Sequence, residues 1–274
     1  MDHSRSPAYI AGHNGSLALI CFVINLDTAP ERWSFVQKSF AASRCILRRV
    51  SAIDVQSLEF PNPNFSEHLY RWFHGRTVNR RELACYLSHL KAIQTFLESN
   101  ESHGIIAEDD ITLRPDFDLA VDAALAYSRY WNILRLTGLS EGHPVTVLPL
   151  CKPYWLCINR GRLKGAGAYI IDRSAARALL EHLLPMRLPY DHALDREWLW
   201  GLRAAYLLPF PASQTESEFL SSVQPGIYPK LSLAQRVLST YPYQAVNELS
   251  RWLFRLRSVL QIRLAAKAQS QDSV

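Results

Sequence analysis

Three carboxylates, Glu108, Asp109 and Asp110, stand side by side in the stretch GIIAEDDITLRPDF, residues 104–117. Adjacent acids repel one another, so local stability does not account for them, whereas a positive partner would. A hard divalent cation such as Mn²⁺ or Mg²⁺ takes oxygen ligands and bridges carboxylates to a diphosphate. There it neutralises the charge that develops on a leaving phosphate. Read as Glu-x-Asp, the trio has the one-residue skip that turns Glu108 and Asp110 to the same side of an extended chain. A solvated turn would use the same residue types. Their place directly after a short apolar run favours a site.

A second acidic element is PYDHALDREW, residues 189–198. On a helix Asp191 and Asp195, four apart, share a face, and His192 and Arg196 share the neighbouring one. A carboxylate there can take the proton of an attacking hydroxyl. The spacing equally suits a helix capped by Asp191, with Asp195 and Arg196 on its surface. In RELACYLSHLKA, residues 81–92, Glu82, Tyr86 and His89 form a polar line opposite the leucines. On spacing alone His89 reads as a hydrogen-bonded structural residue. Ser88 beside it belongs to no hydrolytic triad, because the chain has no Gly-x-Ser-x-Gly elbow. It also has neither a Walker A loop nor GxGxxG, and the Gly-rich GRLKGAG (161–167) fits neither spacing.

These residues need elements to position them. LALICFVINL (17–26) reads as a buried strand. Thr28 and Glu31 form a capping-box pattern opening a helix over about residues 29–42. Residues 54–76, rich in Pro and Asn, read as a loop. Asn79 caps a long helix with Leu83, Leu87, Leu90 and Leu97 along one stripe. GIIA is a strand ending at the acids, DLAVDAALAYS a helix and WNILRL a strand. After a loop to about residue 165 come the strand GAYII, the helix RSAARALLEHLL, a short helix in PYDHALDREWLWGL and a last strand, AAYLLPF. Alternating strands and helices predict an α/β sheet covered on both faces. Such sheets bind ligands beyond the carboxyl ends of their strands, where Asn25, Asp27 and the three acids fall.

The chain has 274 residues, 48% hydrophobic and 20% charged, the composition of a folded globular protein. No apolar run reaches the roughly 18 residues of a spanning helix. The five cysteines form no CxxC pair and read as reduced thiols, which favours a cytosolic setting. Residues 1–16 read as a loose leader without a signal peptide's apolar core, 17–229 as one domain, and 230–274 as a basic amphipathic tail. The tail holds seven basic residues against two acids, so the whole net charge of +5 lies there and the rest balances at 23 against 23. That distribution argues against a nucleic-acid surface on the main body and for an acidic partner of the tail. Leu249, Trp252, Leu253, Leu256, Val259, Leu260 and Leu264 lie at helical spacing, with the arginines largely off that stripe. Two readings follow: contact with a membrane surface or a partner, which the gathered charge favours, or a C-terminal helix packed on the domain with solvated arginines.

CFVINLDTAPERW, RELACYLSHLKAI, IIAEDDITLRPDF, GAYIIDRSAARALL and PYDHALDREW, taken in order from about residue 19 to 215, resemble the motif series of glycosyltransferase family 25. That family includes bacterial lipooligosaccharide galactosyltransferases and collagen galactosyltransferases. The resemblance implies a GT-A-like fold, a Rossmann-like mixed sheet covered by helices. It also implies a UDP-sugar donor (most often UDP-galactose), Mn²⁺ or Mg²⁺, a glycan or glycolipid acceptor, and inversion to a β-linked sugar. By position it implies nucleotide-sugar contacts at Asn25, Leu26 and Arg32, and a motif of Glu82, Cys85, Ser88 and His89. It further implies Glu108 at the donor, metal ligation by Asp109 and Asp110, and Asp191 as the base, with Glu82 or Asp195 able to fill that role. Arg81 and Ala84 stand where the family often has glycine, and Ala107 where a bulkier aliphatic is common. A Mg²⁺-dependent phosphotransferase or nucleotidyltransferase would use the same acids without a sugar acceptor. A catalytically silent nucleotide-sugar-binding scaffold would use them without turnover.

Overall fold

A computed structural model describes residues 18–77, 79–214 and 229–272. In chain order the elements are β1 (Ile20–Asn25), α1 (Pro30–Ser39), β2 (Ile46–Ser51), α2 (Glu67–His74), α3 (Arg80–Glu98), β3 (His103–Glu108), β4 (Ile111–Leu113) and α4 (Phe117–Leu125). Then follow β5 (Ile133–Arg135), β6 (Pro144–Pro149), β7 (Trp155–Asn159), β8 (Ala168–Asp172), α5 (Arg173–His182) and α6 (Tyr190–Leu194). The last are β9 (Ala204–Leu208), β10 (Ala212–Gln214), α7 (Leu233–Gln235) and α8 (Tyr241–Asp272).

Among the described residues eight strands form one sheet in the order β2-β1-β3-β8-β5-β9-β7-β6, and β4 pairs with β10 in a second. Strands β8 and β7 run against the other six, so the sheet is mixed with one dominant direction. Along β1, Cys21 and Val23 enter the core on one face while Phe22 and Ile24 enter the core on the other. Strand β3 does the same with Ile105 and Ala107 against Ile106. Both faces being covered, these strands read as unbroken apolar runs rather than as alternation. Helices α1, α4 and α8 cover one face, and α2, α3, α5 and α6 the other. This is the mixed α/β architecture expected for a GT-A-like fold.

Several elements depart from the sequence reading. The α1 N-cap is Ala29, with Pro30 opening the helix and no side-chain cap, so Thr28 does not form the expected capping box. Helix α1 also stops at Ser39, short of residue 42. The supposed loop 54–76 contains α2, which ends on Gly75 in the left-handed region (φ 76°), its N–H donating to the Arg71 carbonyl at 2.8 Å. The supposed loop before residue 165 contains β6 and β7, and β10 follows the strand expected to be last. Asn79 caps α3 as expected, accepting from the Arg81 N–H at 3.0 Å.

The tail helix α8 is docked with two of its arginines, Arg251 and Arg255, inward. Arg255 donates to Glu197 at 2.7 and 2.9 Å, to Asp195 at 2.8 Å, and to the carbonyls of Asn159 and Gly161. Arg251 pairs with Asp195 at 3.4 Å and with Glu248 at 2.6 Å. Of the apolar stripe only Val259 turns inward, joined by Ile262, whereas Leu249, Leu253, Leu260 and Leu264 each keep more than half their surface exposed. The leucines therefore do not glue this helix to the domain, and the arginines that do so are buried rather than solvated.

Candidate active site

The site lies where the carboxyl ends of β1 and β3 meet the beginning of β8. Asn25, the last residue of β1, is buried and donates to Asp109 Oδ2 at 2.7 Å and to the Ala29 carbonyl at 3.0 Å. Its own side-chain oxygen accepts from Arg49 Nε at 2.7 Å. Arg49 also reaches the Leu26 carbonyl at 3.1 Å and Asp27 at 2.8 Å. Arg32, one turn into α1, places a single terminal nitrogen 2.5 Å from Asp109 and 3.4 Å from Asp110. Both oxygens of Asp109 are thereby occupied, and this carboxylate locks β1, α1 and the β3–β4 turn together.

Asp110 is different. Its Oδ2 meets Arg32, but its Oδ1 is buried without a hydrogen-bond partner. Burial, then the neighbouring Glu108 charge, push its carboxyl up to about 7 against the pull of Arg32. Glu108 accepts from Gln214 Nε2 at 3.0 Å through one oxygen and faces His89 Nε2 at 3.4 Å through the other. Gln214 arrives on β10 through the β4–β10 pairing, which sets it opposite Ile111. Gly167 makes room for it, since a Cβ there would lie 2.5 Å from the Gln214 amide carbon.

Helix α3 presents Glu82, Cys85 and His89 to the same space. The Cys85 thiol is pushed up by burial and then by the charges of Glu108, Asp191, Glu82 and Asp110, so four carboxylates from three segments converge on it. His89 is buried, its ring stacked on Tyr190 at 4.0 Å and its Nδ1 3.2 Å from the Tyr169 hydroxyl. The polar line on α3 thus faces inward, with Tyr86 donating to the Leu183 carbonyl at 2.6 Å. The Ser88 hydroxyl is engaged by backbone on both sides, donating to the Ala84 carbonyl at 2.7 Å and accepting from the Ile53 N–H at 2.8 Å.

Asp191 accepts from the Gly165 N–H at 3.2 Å and from the His192 N–H at 2.9 Å. Burial opposes its ionisation, but His192, the Gly165 donor and Arg135 outweigh it and hold the carboxyl below the ordinary range. It is ionised at neutral pH. Glu82 is pushed the other way by burial and accepts a short hydrogen bond from the Tyr70 hydroxyl on α2. Asp195, expected on the same face as Asp191, is instead buried beneath α8 in the ion pairs described above, because α6 ends at Leu194. The Gly-rich segment fits no phosphate-loop spacing, yet it serves the site twice. Gly165 adopts φ +85° to aim its N–H at Asp191, and Gly167 admits Gln214.

The structure therefore gathers Asn25, Arg32, Glu82, His89, Glu108, Asp109, Asp110 and Asp191 around one mouth, contributes Leu26 through its carbonyl, and commits Ser88 to backbone. Sequence reasoning missed Arg49, Tyr70, Gln214 and the Tyr169–Tyr190 pair. A cavity of about 580 Å³ lies apart from the acids, on the far side of α2, lined by His68, Arg71, Trp72 and Leu238. The polar convergence, not this cavity, marks the chemistry.

A model of glycosyltransferase family 25, described as an LPS biosynthesis protein family, matches residues 19–194, a span holding every one of these acids. The chain belongs to glycosyltransferase family 25. Among its relatives, the "probable inactive glycosyltransferase 25 family member 3" of Rattus norvegicus is 25% identical over 232 residues, 74% of this chain and 40% of that one. A "glycosyltransferase 25 family member" of Anopheles gambiae is 24% identical over 246 residues, 79% of this chain and 40% of that one. The chain thus spans well under half the length of these relatives. Among solved structures, the inositol-1-phosphate CTP transferase of T. maritima aligns with TM-score 0.42 and 11% identity over 75% of this chain and 92% of that one. A glycosyltransferase involved in glycosylation of the major capsid of PBCV-1 aligns with TM-score 0.37 and 9% identity over 69% and 81%. Similarity at that level carries no functional argument.

Proposed function

We propose that this family 25 domain is an inverting, divalent-cation-dependent galactosyltransferase that moves galactose from UDP-galactose to a lipid-linked surface-glycan acceptor, with β linkage. The observation that supports it most is Asp110 Oδ1, a buried carboxylate oxygen without a partner, set beside Glu108 at the carboxyl end of β3. A buried acid in that state is costly unless a cation completes it. The donor set fits Mn²⁺ or Mg²⁺: Glu108 and Asp110 would hold it, with Asp109 orienting the turn through Asn25 and Arg32. Bound there, the cation would supply charge neutralisation for a departing diphosphate.

The chain's own groups supply the rest. Asp191, ionised and anchored by two backbone N–H groups, would accept the proton of an acceptor hydroxyl. Glu82, pushed up by burial and tied to Tyr70, stands beside that path as a proton store. Although relatives are named inactive, all four carboxylates that converge on Cys85 are present here.

The test is UDP release. With UDP-galactose, Mn²⁺ and a glycan acceptor, UDP appears only when all three are present; release without the glycan of galactose 1-phosphate, left behind when the uridylyl group is transferred, would mark a nucleotidyltransferase, and release of UMP a sugar-phosphate transferase. UDP with Mn²⁺ should also stabilise the fold, by about 2.7 kcal/mol at a hundredfold excess over Kd, measured as a thermal shift. A thermal shift without turnover over a panel of nucleotide sugars would make the domain a binding scaffold.

The exposed stripe of α8 fits the surface of an anionic membrane, on the cytoplasmic side where a lipid-linked acceptor would stand. Arg257, Arg263 and Lys267 are exposed along the same helix, and basic residues near such a surface contribute about 1 kcal/mol each. No helix among the described residues is long and apolar enough to cross a membrane, so contact would be peripheral. The chain should float with phosphatidylserine vesicles and not with phosphatidylcholine vesicles, and the double substitution Leu253→Asp, Leu256→Asp should abolish flotation. Failure to float, with dimerisation in sedimentation that the same pair abolishes, would assign the stripe to a second copy.

A further inference from the structure

We propose that Cys85, His89 and Glu108 form a second metal site, matched to a borderline-soft divalent cation such as Zn²⁺ or Co²⁺ rather than to the hard cation proposed at Asp110. Cys85 and His89 lie one turn apart on α3 and share a face. Glu108 reaches them from the end of β3. One ligand atom from each residue lies within 4.8 Å of those of the other two. Thiolate, imidazole and carboxylate are the donors zinc takes, commonly three from protein with a fourth position open. A hard cation gains little from the thiolate. Tetrahedral zinc, with bonds of about 2.0–2.3 Å, wants its ligand atoms about 3.5 Å apart. His89 Nε2 and Glu108 Oε1 already stand at 3.4 Å, so only the Cys85 side chain has to close in.

The surroundings of the three residues point the same way. His89 has its far nitrogen on the Tyr169 hydroxyl, at 3.2 Å, and its ring flat against Tyr190, at 4.0 Å and 7°. Glu108 has its far oxygen on Gln214, at 3.0 Å. The imidazole and the carboxylate are thus both held from behind, as outer partners hold metal ligands in place. On binding, the metal–sulfur bond replaces the S–H bond and the thiol proton leaves to solvent. Because Glu108 would serve both cations, a soft metal here would compete with the donor's cation; that consequence rests on the transferase reading, whereas the binding does not.

Cobalt reports the thiolate directly. The full chain titrated with Co²⁺ should develop a sulfur-to-cobalt charge-transfer band in the near ultraviolet, saturating at one metal per chain and bleached by Zn²⁺. Cys85→Ser should lack the band and bind Zn²⁺ more weakly by more than the roughly 10–100-fold that loss of an outer partner costs, with circular dichroism confirming the fold and Cys85→Ala as the second variant. Asp110→Asn should keep the band even if it loses transferase activity. No band in the unsubstituted chain, or an equal band in Cys85→Ser, would overturn the site, as would its loss in folded Asp110→Asn, which would leave one site of hard acids.

Discussion

Replacing Asp110 by asparagine is expected to abolish transfer while making the folded chain more stable above pH 7. The two effects have one origin. Burial and the adjacent Glu108 raise this carboxyl from the ordinary 3.8 to about 7. Between those values the native state binds a proton that the unfolded chain does not, so stability falls as pH climbs through that window, and the deficit is complete above about 7. Asparagine carries no charge to bury. One pKa unit is worth about 1.4 kcal/mol, so the variant should gain on the order of 1–3 kcal/mol at pH 8 and little at pH 4. Transfer should fall by about 100–1,000-fold or more, the usual loss when a group aimed at developing charge is removed. Urea unfolding at the two pH values and UDP release read the two halves separately. Full activity, or a chain less stable at pH 8, would show that Asp110 is an ordinary surface-turn residue.

That opposition between stability and activity also explains why the acids were legible in the sequence. A run of three carboxylates after an apolar strand makes no local sense, and the structure shows why: Asp109 and Glu108 find partners on other elements, and Asp110 keeps one buried oxygen without any. Asn25 was readable because the apolar run of β1 announces a buried strand and ends on it, whereas Arg32 was marked only by the resemblance to the family's motif series. Gln214 was not. It reaches Glu108 through a three-residue strand whose pairing with β4 is non-local, and nothing in ASQ marks it. Tyr70 was lost because residues 54–76 carry Pro and Asn at 61–64, although Ser66 before the EHLYRWFH segment and Gly75 after it bracket a helix of eight residues. Strands β6 and β7 escaped for a related reason: they pair with each other across an irregular register near Thr146, and β6 begins and ends in proline.

The tail shows the limit of reading an amphipathic pattern by hydrophobicity. Its leucine spacing leaves open whether that face meets a membrane, a partner or the domain, and the domain beneath offers Asp195 and Glu197 rather than an apolar groove. Arginine's fixed fork can satisfy two carboxylates and two carbonyls at once, as Arg255 does. The helix is therefore rotated so that charge meets charge, and the leucines are left for something else. No sequence period could have shown this, because the partner acids lie some sixty residues earlier.

Arg255→Ala should accordingly destabilise the chain more than any substitution in the leucine stripe. Without the guanidinium, Glu197 at 0% and Asp195 at 4% exposure remain as buried charges, with only Arg251 against Asp195. Removing one partner of a buried ion pair costs about 3–5 kcal/mol, because the orphaned charge stays desolvated. Leu253→Asp, on a side chain already 53% exposed, should change stability by no more than about 0.5 kcal/mol. Urea denaturation of the two variants gives the comparison, and limited proteolysis should release α8 from the arginine variant alone. A chain that tolerates Arg255→Ala yet unfolds with Leu253→Asp would mean that the leucines hold the tail after all. The surface offered to a membrane would then not exist.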